Sequence, residues 1–253
     1  MPYWAQRSTR RSSEKSEAMA KLTWHGHSCF TLDADDGSAV MIDPWLDENP
    51  TADIGMDAVE RLDFILCSHG HSDHFADAIG LASRTGATMV GTYELVSFAG
   101  TRGIENIHAM NIGGGHHFRF GYVKMTPATH SGTIHGDETG RFTTIAGGFW
   151  LHLKPPTGQT GGKRLYHAGD TALISDMALL KGKVDIALLP IGDNFTMGPE
   201  DAVRAIEMIA PTVVIPMHFN TFDVIQQDPD DFARRVGDRA EVVILTPGKS
   251  YEF

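Results

Sequence analysis

Three histidines and an aspartate within six positions most constrain what this chain can fold into. The stretch SHGHSDH places His69, His71, Asp73 and His74 directly after an apolar run, FILC, and before a segment with helical periodicity. In an extended or turn conformation, residues two apart project to the same side, so His69 and His71 can bind one ion. Asp73 and His74 lie where the chain enters its helix and can reach a second ion. The pattern predicts a metal site at the end of a buried strand.

The rest of the chain offers further ligand-type residues, each at the end of a predicted strand. His130 closes YVKMTPATH, Asp170 closes KRLYHAGD, and His218 follows the apolar run TVVIPM. Ligand-binding groups in α/β folds lie where strands open into loops. We therefore expect these three residues to meet the quartet at one edge of the sheets.

The hydrophobic pattern predicts a β-rich first part and alternating strands and helices later. DFILCS (63–68) and VDIALLPI are typical of buried strands, and GPEDAVRAIEMIAP has helical spacing with proline at its start. EVVILTPG is predicted to be the last strand. Strands that are apolar throughout need cover on both faces, which favours two sheets with helices outside. We expect a single domain over 21–253, preceded by a disordered extension over 1–20.

Composition disfavours several function classes. The net charge is −11, with 32 acidic and 21 basic residues, which opposes binding to phosphate backbones and to anionic membranes. No apolar run is long enough to cross a bilayer, and the first residues lack the apolar region of a secretory signal. Cys29 and Cys67 lie in apolar segments and are interpreted as reduced thiols, which favours a cytoplasmic protein. A homo-oligomer is compatible with the sequence.

At this point a family resemblance is evident. The order H-x-H-x-D-H, His, G-D-T, His resembles the metallo-β-lactamase-fold hydrolases. The motifs W-H-G-H-S-C-F, I-D-P, Y-H-A-G-D-T, N-F-T-M-G-P and P-M-H-F-N-T are similar to a branch of metal-dependent hydrolases related to L-ascorbate-6-phosphate lactonase. The resemblance covers residues 21–253. It implies an α/β fold of the α+β kind, a four-layer αββα sandwich with a dinuclear metal site.

The resemblance also implies roles for the ligand residues. One metal would be held by His69, His71 and His130, the other by Asp73, His74 and His218, with Asp170 bridging the two. A hydroxide between the ions would be the nucleophile, since two cations lower the pKa of bound water. Asp73 would also be catalytic, orienting the nucleophile and passing its proton to the leaving group. Zinc fits the ligand set best, manganese is supported by the lactonase resemblance, and iron or nickel also suits imidazole.

Five further residues have weaker cases. Asp43 ends VMID and matches a carboxylate that orients a ligand imidazole, although it could be a simple turn residue before Pro44. His27 could hydrogen-bond near the site or only satisfy a hairpin turn. His167 is assigned to the substrate pocket, with a buried structural histidine as the alternative. Asn194 and Thr196 are assigned to the substrate mouth, with a helix-entry loop as the alternative.

These observations predict a metal-dependent hydrolase of a small-molecule ester or lactone. The first alternative is a phosphodiesterase or nuclease, which the same fold hosts, although no basic arm or inserted domain is present to bind RNA or DNA. Dinuclear-iron redox chemistry and a non-catalytic metal-binding role are further alternatives. Family membership leaves the substrate open.

Overall fold

Two sheets of seven strands each form the centre of the described chain. The computed structural model describes residues 20–253. The predicted extension over 1–20 therefore lies outside the described residues, except for Ala20, which is buried. The carbonyl of Ala20 accepts a hydrogen bond of 3.0 Å from the backbone N–H of Phe253.

The first sheet has the strand order β14-β1-β2-β3-β4-β5-β6. Strands β14, β1, β2 and β3 pair in antiparallel fashion, whereas β3 to β6 run parallel. Its strands are β1 (Lys21–Trp24), β2 (Phe30–Asp33), β3 (Ala39–Ile42), β4 (Phe64–Leu66), β5 (Thr88–Thr92), β6 (Ile107–Met110) and β14 (Ser250–Glu252).

The second sheet has the order β13-β12-β11-β10-β9-β8-β7. Strands β7 to β10 are antiparallel and β10 to β13 are parallel. Its strands are β7 (Gly115–Phe118), β8 (Gly121–Pro127), β9 (Gly147–Leu153), β10 (Arg164–His167), β11 (Ile186–Pro190), β12 (Val213–Met217) and β13 (Glu241–Val242). Strands β11 and β12 are buried at every position, as expected where both faces of a parallel sheet are covered.

The helices follow the local signals of the sequence. Helix α2 ends at Gly86, whose φ of 71° suits a residue without Cβ, and α4 begins at a proline with two acidic residues in its first turn. The α-helices are α1 (Ser72–Phe75), α2 (Ala78–Thr85), α3 (Tyr93–Thr101), α4 (Pro199–Ile209) and α5 (Pro229–Val236). Short 3-10 helices span Met56–Ala58, Ser175–Leu180, Asp223–Ile225 and Gly237–Arg239.

Two buried clusters give the four layers. The larger joins side chains of both sheets, such as Phe30 and Phe149, and continues beneath α4 and α5. The smaller lies between the first sheet and α1 to α3, and it includes Ile65 and Leu81. The order of layers is helix, sheet, sheet, helix, so the predicted αββα sandwich is confirmed. Both cysteines are buried free thiols, as predicted.

The C-terminal segment differs from the prediction. Only Glu241–Val242 of the predicted last strand EVVILTPG pairs with the second sheet. Pro247 has no N–H to donate, and Gly248 has a φ of 83°, so the chain turns there. It then adds β14 to the first sheet, where Ser250 pairs with Thr23. The last strand is therefore the edge strand of the first sheet, next to β1.

None of the helices within residues 20–253 combines the length and the apolar composition that crossing a membrane requires.

The cluster between the sheets should dominate stability. Phe149 on β9 is completely buried there. We expect Phe149→Ala to lower the free energy of unfolding by about 3–5 kcal/mol, since it leaves a cavity between two fixed sheets. Chemical denaturation monitored by circular dichroism measures this. Leu179→Ala, at a side chain that is 71% exposed, is the control and should stay within about 0.5 kcal/mol. Equal effects of the two changes would contradict this account of the core.

Candidate metal centre

All seven predicted ligands meet at one edge of the two sheets. The segments that follow β4, β8, β10 and β12 supply them, and these strands end at the same side of the sandwich. His69, His71, Asp73 and His74 follow β4, His130 follows β8, Asp170 follows β10, and His218 follows β12. Their donor atoms fall into groups within 4.8 Å of one another. The convergence expected from the strand ends is therefore present in the fold.

The first group consists of three imidazoles. His69 Nε2 lies 3.0 Å from His71 Nδ1, and His130 Nε2 lies 3.3 Å from the same atom. His69 is fully buried, while His71 and His130 are partly exposed. Three ring nitrogens that face one point are the donor arrangement of a metal site open on one side.

The second group lies beside the first. It contains Asp73, His74 and His218, and His27 also falls within the same 4.8 Å limit. His74 Nε2 lies 3.8 Å and His218 Nε2 lies 3.9 Å from Asp73 Oδ2. This group mixes imidazole with carboxylate, which suits zinc and harder divalent ions.

Asp170 lies between the two groups. Its Oδ1 is 3.2 Å from His74 Nε2, and its Oδ2 is 3.0 Å from His218 Nε2. The same Oδ2 is 3.6 Å from His130 Nε2 in the first group. One carboxylate therefore approaches nitrogens of both groups, the position that a bridging ligand requires.

Unpartnered buried atoms test whether this donor set fits a metal. His74 Nε2, His218 Nε2 and Asp170 Oδ1 are inaccessible to solvent, and although the two nitrogens lie 3.2 and 3.0 Å from Asp170 oxygens, the contacts lack the geometry of hydrogen bonds. Buried polar atoms without partners cost free energy, so their clustering at one point calls for a ligand. Imidazole nitrogens and a carboxylate oxygen together are donors for a divalent cation. The residues present fit such an ion.

The charge states of several groups favour metal binding, because ligands must be free of protons. Burial lowers the pKa of His69 well below its usual range, and burial together with neighbouring imidazoles lowers the pKa of His71 and His130. Burial alone would raise the pKa of Asp170, but His218 and His74 lower it well below its ordinary value. His74 is the exception: burial lowers its pKa, but the carboxylates of Asp170 and Asp73 raise it well above its usual range, so a cation would have to displace its proton.

A buried carboxylate, Asp43, orients imidazoles of both groups. Its Oδ2 accepts hydrogen bonds from His74 Nδ1 at 2.8 Å and from Ser68 Oγ at 2.6 Å, and its Oδ1 accepts the Ser68 N–H at 2.7 Å. Since Ser68 gives its only hydroxyl proton to Asp43, its oxygen accepts from His69 Nδ1, 3.0 Å away. Both imidazoles are thereby held by Nδ1, which leaves Nε2 facing the centre as the nitrogen that can bind a cation.

His27 occupies a comparable position beside Asp73. Its Nε2 lies 3.0 Å from Asp73 Oδ2, and its Nδ1 lies 2.8 Å from Thr221 Oγ1. Burial and the neighbouring His218 lower the pKa of His27 to about 3, although Asp73 opposes the shift. A neutral His27 donates from Nε2, because a carboxylate can only accept, and Nδ1 accepts from Thr221.

The backbone around the centre is strained. His27, Asp43 and His218 all have positive φ values, of 52°, 50° and 55°, in the left-handed region that residues with a Cβ rarely adopt. Gly169, directly before Asp170, has a φ of 61°, and a Cβ there would lie 2.3 Å from the carbonyl oxygen of Gly147. Strain of this kind persists where the surrounding fold enforces it, often at functional sites.

The predicted substrate residues lie at different depths. His167 is fully buried, with Nε2 3.0 Å from Ser28 O and Nδ1 accepting the Gly169 N–H at 3.2 Å. This geometry favours the alternative, a structural histidine. Asn194 is exposed and Thr196 is half-buried, both on the loop before α4. That loop reaches the centre, because the N–H of Met197 donates to the carbonyl of Thr171.

Three residues around the centre were not predicted from the sequence, namely Ser68, Thr221 and Phe222. Ser68 hydrogen-bonds to Asp43 and Thr221 hydrogen-bonds to His27. The ring of Phe222 packs on His27, as does the ring of Trp45. Ser68 directly precedes the histidine quartet, and Thr221 closes the motif P-M-H-F-N-T, so motif position was an available signal for these two. For Phe222 no comparable signal exists.

A separate groove of about 470 Å³ lies away from the centre. Lys124, Trp150 and Tyr166 on the outer face of the second sheet line it, together with the 3-10 helix Ser175–Leu180. None of the seven predicted ligands contributes to its walls.

Comparison with known proteins gives the family. The sequence model of the beta-lactamase superfamily domain matches residues 21–218. A UPF0173 metal-dependent hydrolase of Heliobacterium modesticaldum is 45% identical over 242 residues, covering 91% of this chain and 96% of that protein. The chain belongs to this family of the β-lactamase superfamily. A second member, from Methanopyrus kandleri, is 45% identical over 238 residues, covering 92% of this chain and 99% of its own.

A solved structure agrees with this assignment. Igni18, a metallo hydrolase from Ignicoccus hospitalis, superposes with a TM-score of 0.81 at 32% identity, covering 93% of this chain and 99% of its own. The metallo-β-lactamase fold and the metal-dependent hydrolase family inferred from the motifs are therefore confirmed.

The role of Asp43 can be tested by removing its charge. We expect Asp43→Asn to weaken metal binding by roughly 10–100-fold, since an amide has one acceptor oxygen and one NH2 donor and cannot accept all three hydrogen bonds that Ser68 and His74 donate to the carboxylate. Competition with a chromophoric chelator measures the affinity. Asp176→Asn, at an exposed aspartate outside the centre, is the matched control. Unchanged affinity for every ion in Asp43→Asn would contradict this role.

Proposed function

We propose that this chain is a metal-dependent hydrolase that holds two divalent cations and cleaves a small-molecule ester or lactone. The observation that carries the proposal is the set of buried, unpartnered donor atoms of His74, His218 and Asp170. Membership of a family whose relatives are named metal-dependent hydrolases supports it. We further propose a cytoplasmic location, on the basis of the two buried free thiols.

The proposed ligand sets follow the two groups. His69, His71 and His130 would hold one cation, Asp73, His74 and His218 the other, and Asp170 would bridge them. When bound, two such cations lower the pKa of water towards neutrality and polarise the carbonyl under attack. The ligand set favours zinc, and manganese, iron and nickel are compatible with it.

The remaining steps fall to side chains of this chain. Asp43 and Ser68 keep His74 and His69 from rotating, which fixes the positions of the donors. His27 holds Asp73 by its Oδ2, and Asp73 Oδ1 makes no hydrogen bond within the described residues. Asp73 can therefore accept a proton or hydrogen bond at Oδ1 from the attacking water. We propose that it passes that proton to the leaving group.

Asn194 and Thr196 are proposed to line the substrate mouth. Their loop is joined through Met197 to the residue that follows Asp170, which supports a position at the entrance. His167 is not included in this set, because its ring is buried and both of its ring nitrogens make hydrogen bonds.

Metal content gives a direct test. We expect up to two divalent ions per chain, and His69→Ala or Asp170→Ala should each remove at least one. Elemental analysis of purified protein measures this, with His117→Ala, at an exposed histidine, as control. If both variants keep the metal content of the unaltered protein, the ligand assignment is wrong.

A substrate comparison separates the proposed activity from phosphodiester cleavage. We expect metal-loaded protein to hydrolyse lactones and carboxylic esters faster than bis-p-nitrophenyl phosphate or RNA, since its acidic surface disfavours phosphate backbones. Rates are measured before and after chelation, and they should fall with the metal and return on its addition. Turnover of RNA or the phosphodiester alone would favour the nuclease alternative.

A further inference from the structure

We propose that the substrate carries an apolar group and no permanent negative charge, and that an apolar rim beside the metal centre selects it. The apolar rim consists of Phe195, Phe222 and Val224. The inference rests on the proposed function, because it takes the reacting group to lie at the metal centre.

Phe222 lies immediately beside the centre. Its ring centroid is 5.6 Å from that of His27 and 5.7 Å from that of Trp45. His27 in turn contacts the Asp73 carboxylate at 3.0 Å. Trp45 and His27 are buried, whereas Phe222 is only half-buried. Phe222 is thus the aromatic residue of this stack that presents surface next to Asp73.

Phe195 and Val224 extend this surface. They are 51% and 59% exposed, which is high for side chains of this size and polarity. Val224 lies two residues beyond Phe222. Phe195 lies on the loop whose backbone hydrogen-bonds to the carbonyl of Thr171, the residue after Asp170. Gln227 Nε2 donates to the carbonyl of Gly192 at 3.2 Å, which ties the two loops together. The loops that carry the three side chains are therefore joined to each other and to the segment after Asp170.

Positive charge is missing from every segment that builds the centre. Carboxylates and phosphates in substrates are normally recognised by Arg or Lys. The segments carrying the ligands, their supporting residues and the apolar rim contain neither residue, and these segments are 25–60, 62–83, 125–140, 165–180, 184–203 and 205–233.

Three arginines of the described chain are paired with aspartates near these segments. Arg61 and Arg119 both bind Asp63, which precedes β4, at the end opposite the centre. Arg164, at the start of β10, binds Asp185. Exposed charges on the rim loops are acidic, namely Asp193 and Asp223. Apart from bound cations, the described residues at this edge therefore offer no positive charge to an anionic substituent.

The apolar rim therefore offers binding energy to an alkyl or aryl group and none to a phosphate or carboxylate. A small pocket contact of this kind discriminates by about 10-fold or more for each apolar group recognised. The substrate class that fits is an uncharged ester or lactone with a hydrocarbon substituent.

Hydroxamates that bind through the metal provide a test that needs no turnover. Acetohydroxamate, octanohydroxamate and a hydroxamate of similar length ending in a carboxylate are titrated into zinc-loaded protein by calorimetry. We expect the octyl compound to bind at least about 10-fold tighter than both others. Phe222→Ala and Phe195→Ala should each reduce this preference while metal content and acetohydroxamate affinity stay unchanged. Leu179→Ala, an exposed apolar residue outside the rim, should keep it.

Three outcomes would overturn the proposal. In the first, the carboxylate-bearing compound binds as tightly as the octyl compound. In the second, the preference for the octyl compound survives in both phenylalanine variants. In the third, Phe195→Ala changes the oligomeric state and leaves ligand binding unchanged. The last result would assign the rim to a contact between subunits. An octyl preference that depends on the rim, in a protein that hydrolyses no ester or lactone, would support the rim and defeat only the proposed function.

Discussion

The hydrogen bonds to the buried Asp43 carboxylate are the interaction on which the metal centre depends. Asp43 accepts from His74 directly and from His69 through Ser68, so one side chain orients donors on both sides of the centre. Burying a carboxylate is costly unless hydrogen bonds compensate it, and here three donors do so. The positive φ of Asp43 is the backbone conformation that brings it there. The position of this residue therefore links local strain to ligand geometry.

The sandwich supplies the rigidity that this arrangement needs. Strands β4 and β10 belong to different sheets, yet the residues that follow them, such as His69 and Asp170, must meet within ångströms. The shared core between the sheets fixes their separation, because close-packed interiors resist sliding. Strained positions such as His218 can persist because β12, buried along its whole length, holds the chain before the turn. Stability of the core and geometry of the centre are thus connected.

Polar and apolar side chains occupy different parts of the centre. Carboxylates and imidazoles form its interior, while the exposed edge combines Phe222 with acidic residues such as Asp223. We infer that apolar contact, rather than a cationic side chain, provides the selectivity at this edge. Membership of a family of metal-dependent hydrolases gives the class of chemistry, whereas the segments around the centre lack the Arg or Lys that usually recognises a phosphate.

The sequence by itself determined the local features. The quartet His69 to His74 could be interpreted as a metal site because its spacing is short and depends on one turn, and α4 followed from its proline start and apolar periodicity. The fold family followed from the order of the motifs. Only the tertiary structure decided contacts between distant positions, such as His27 with Thr221, which are 194 residues apart in the chain. It also decided that the last strand pairs with β1, which no local pattern indicates. Propensity and spacing act over a few residues, whereas strand pairing and side-chain convergence depend on how the two sheets pack, and that packing is a property of the whole chain.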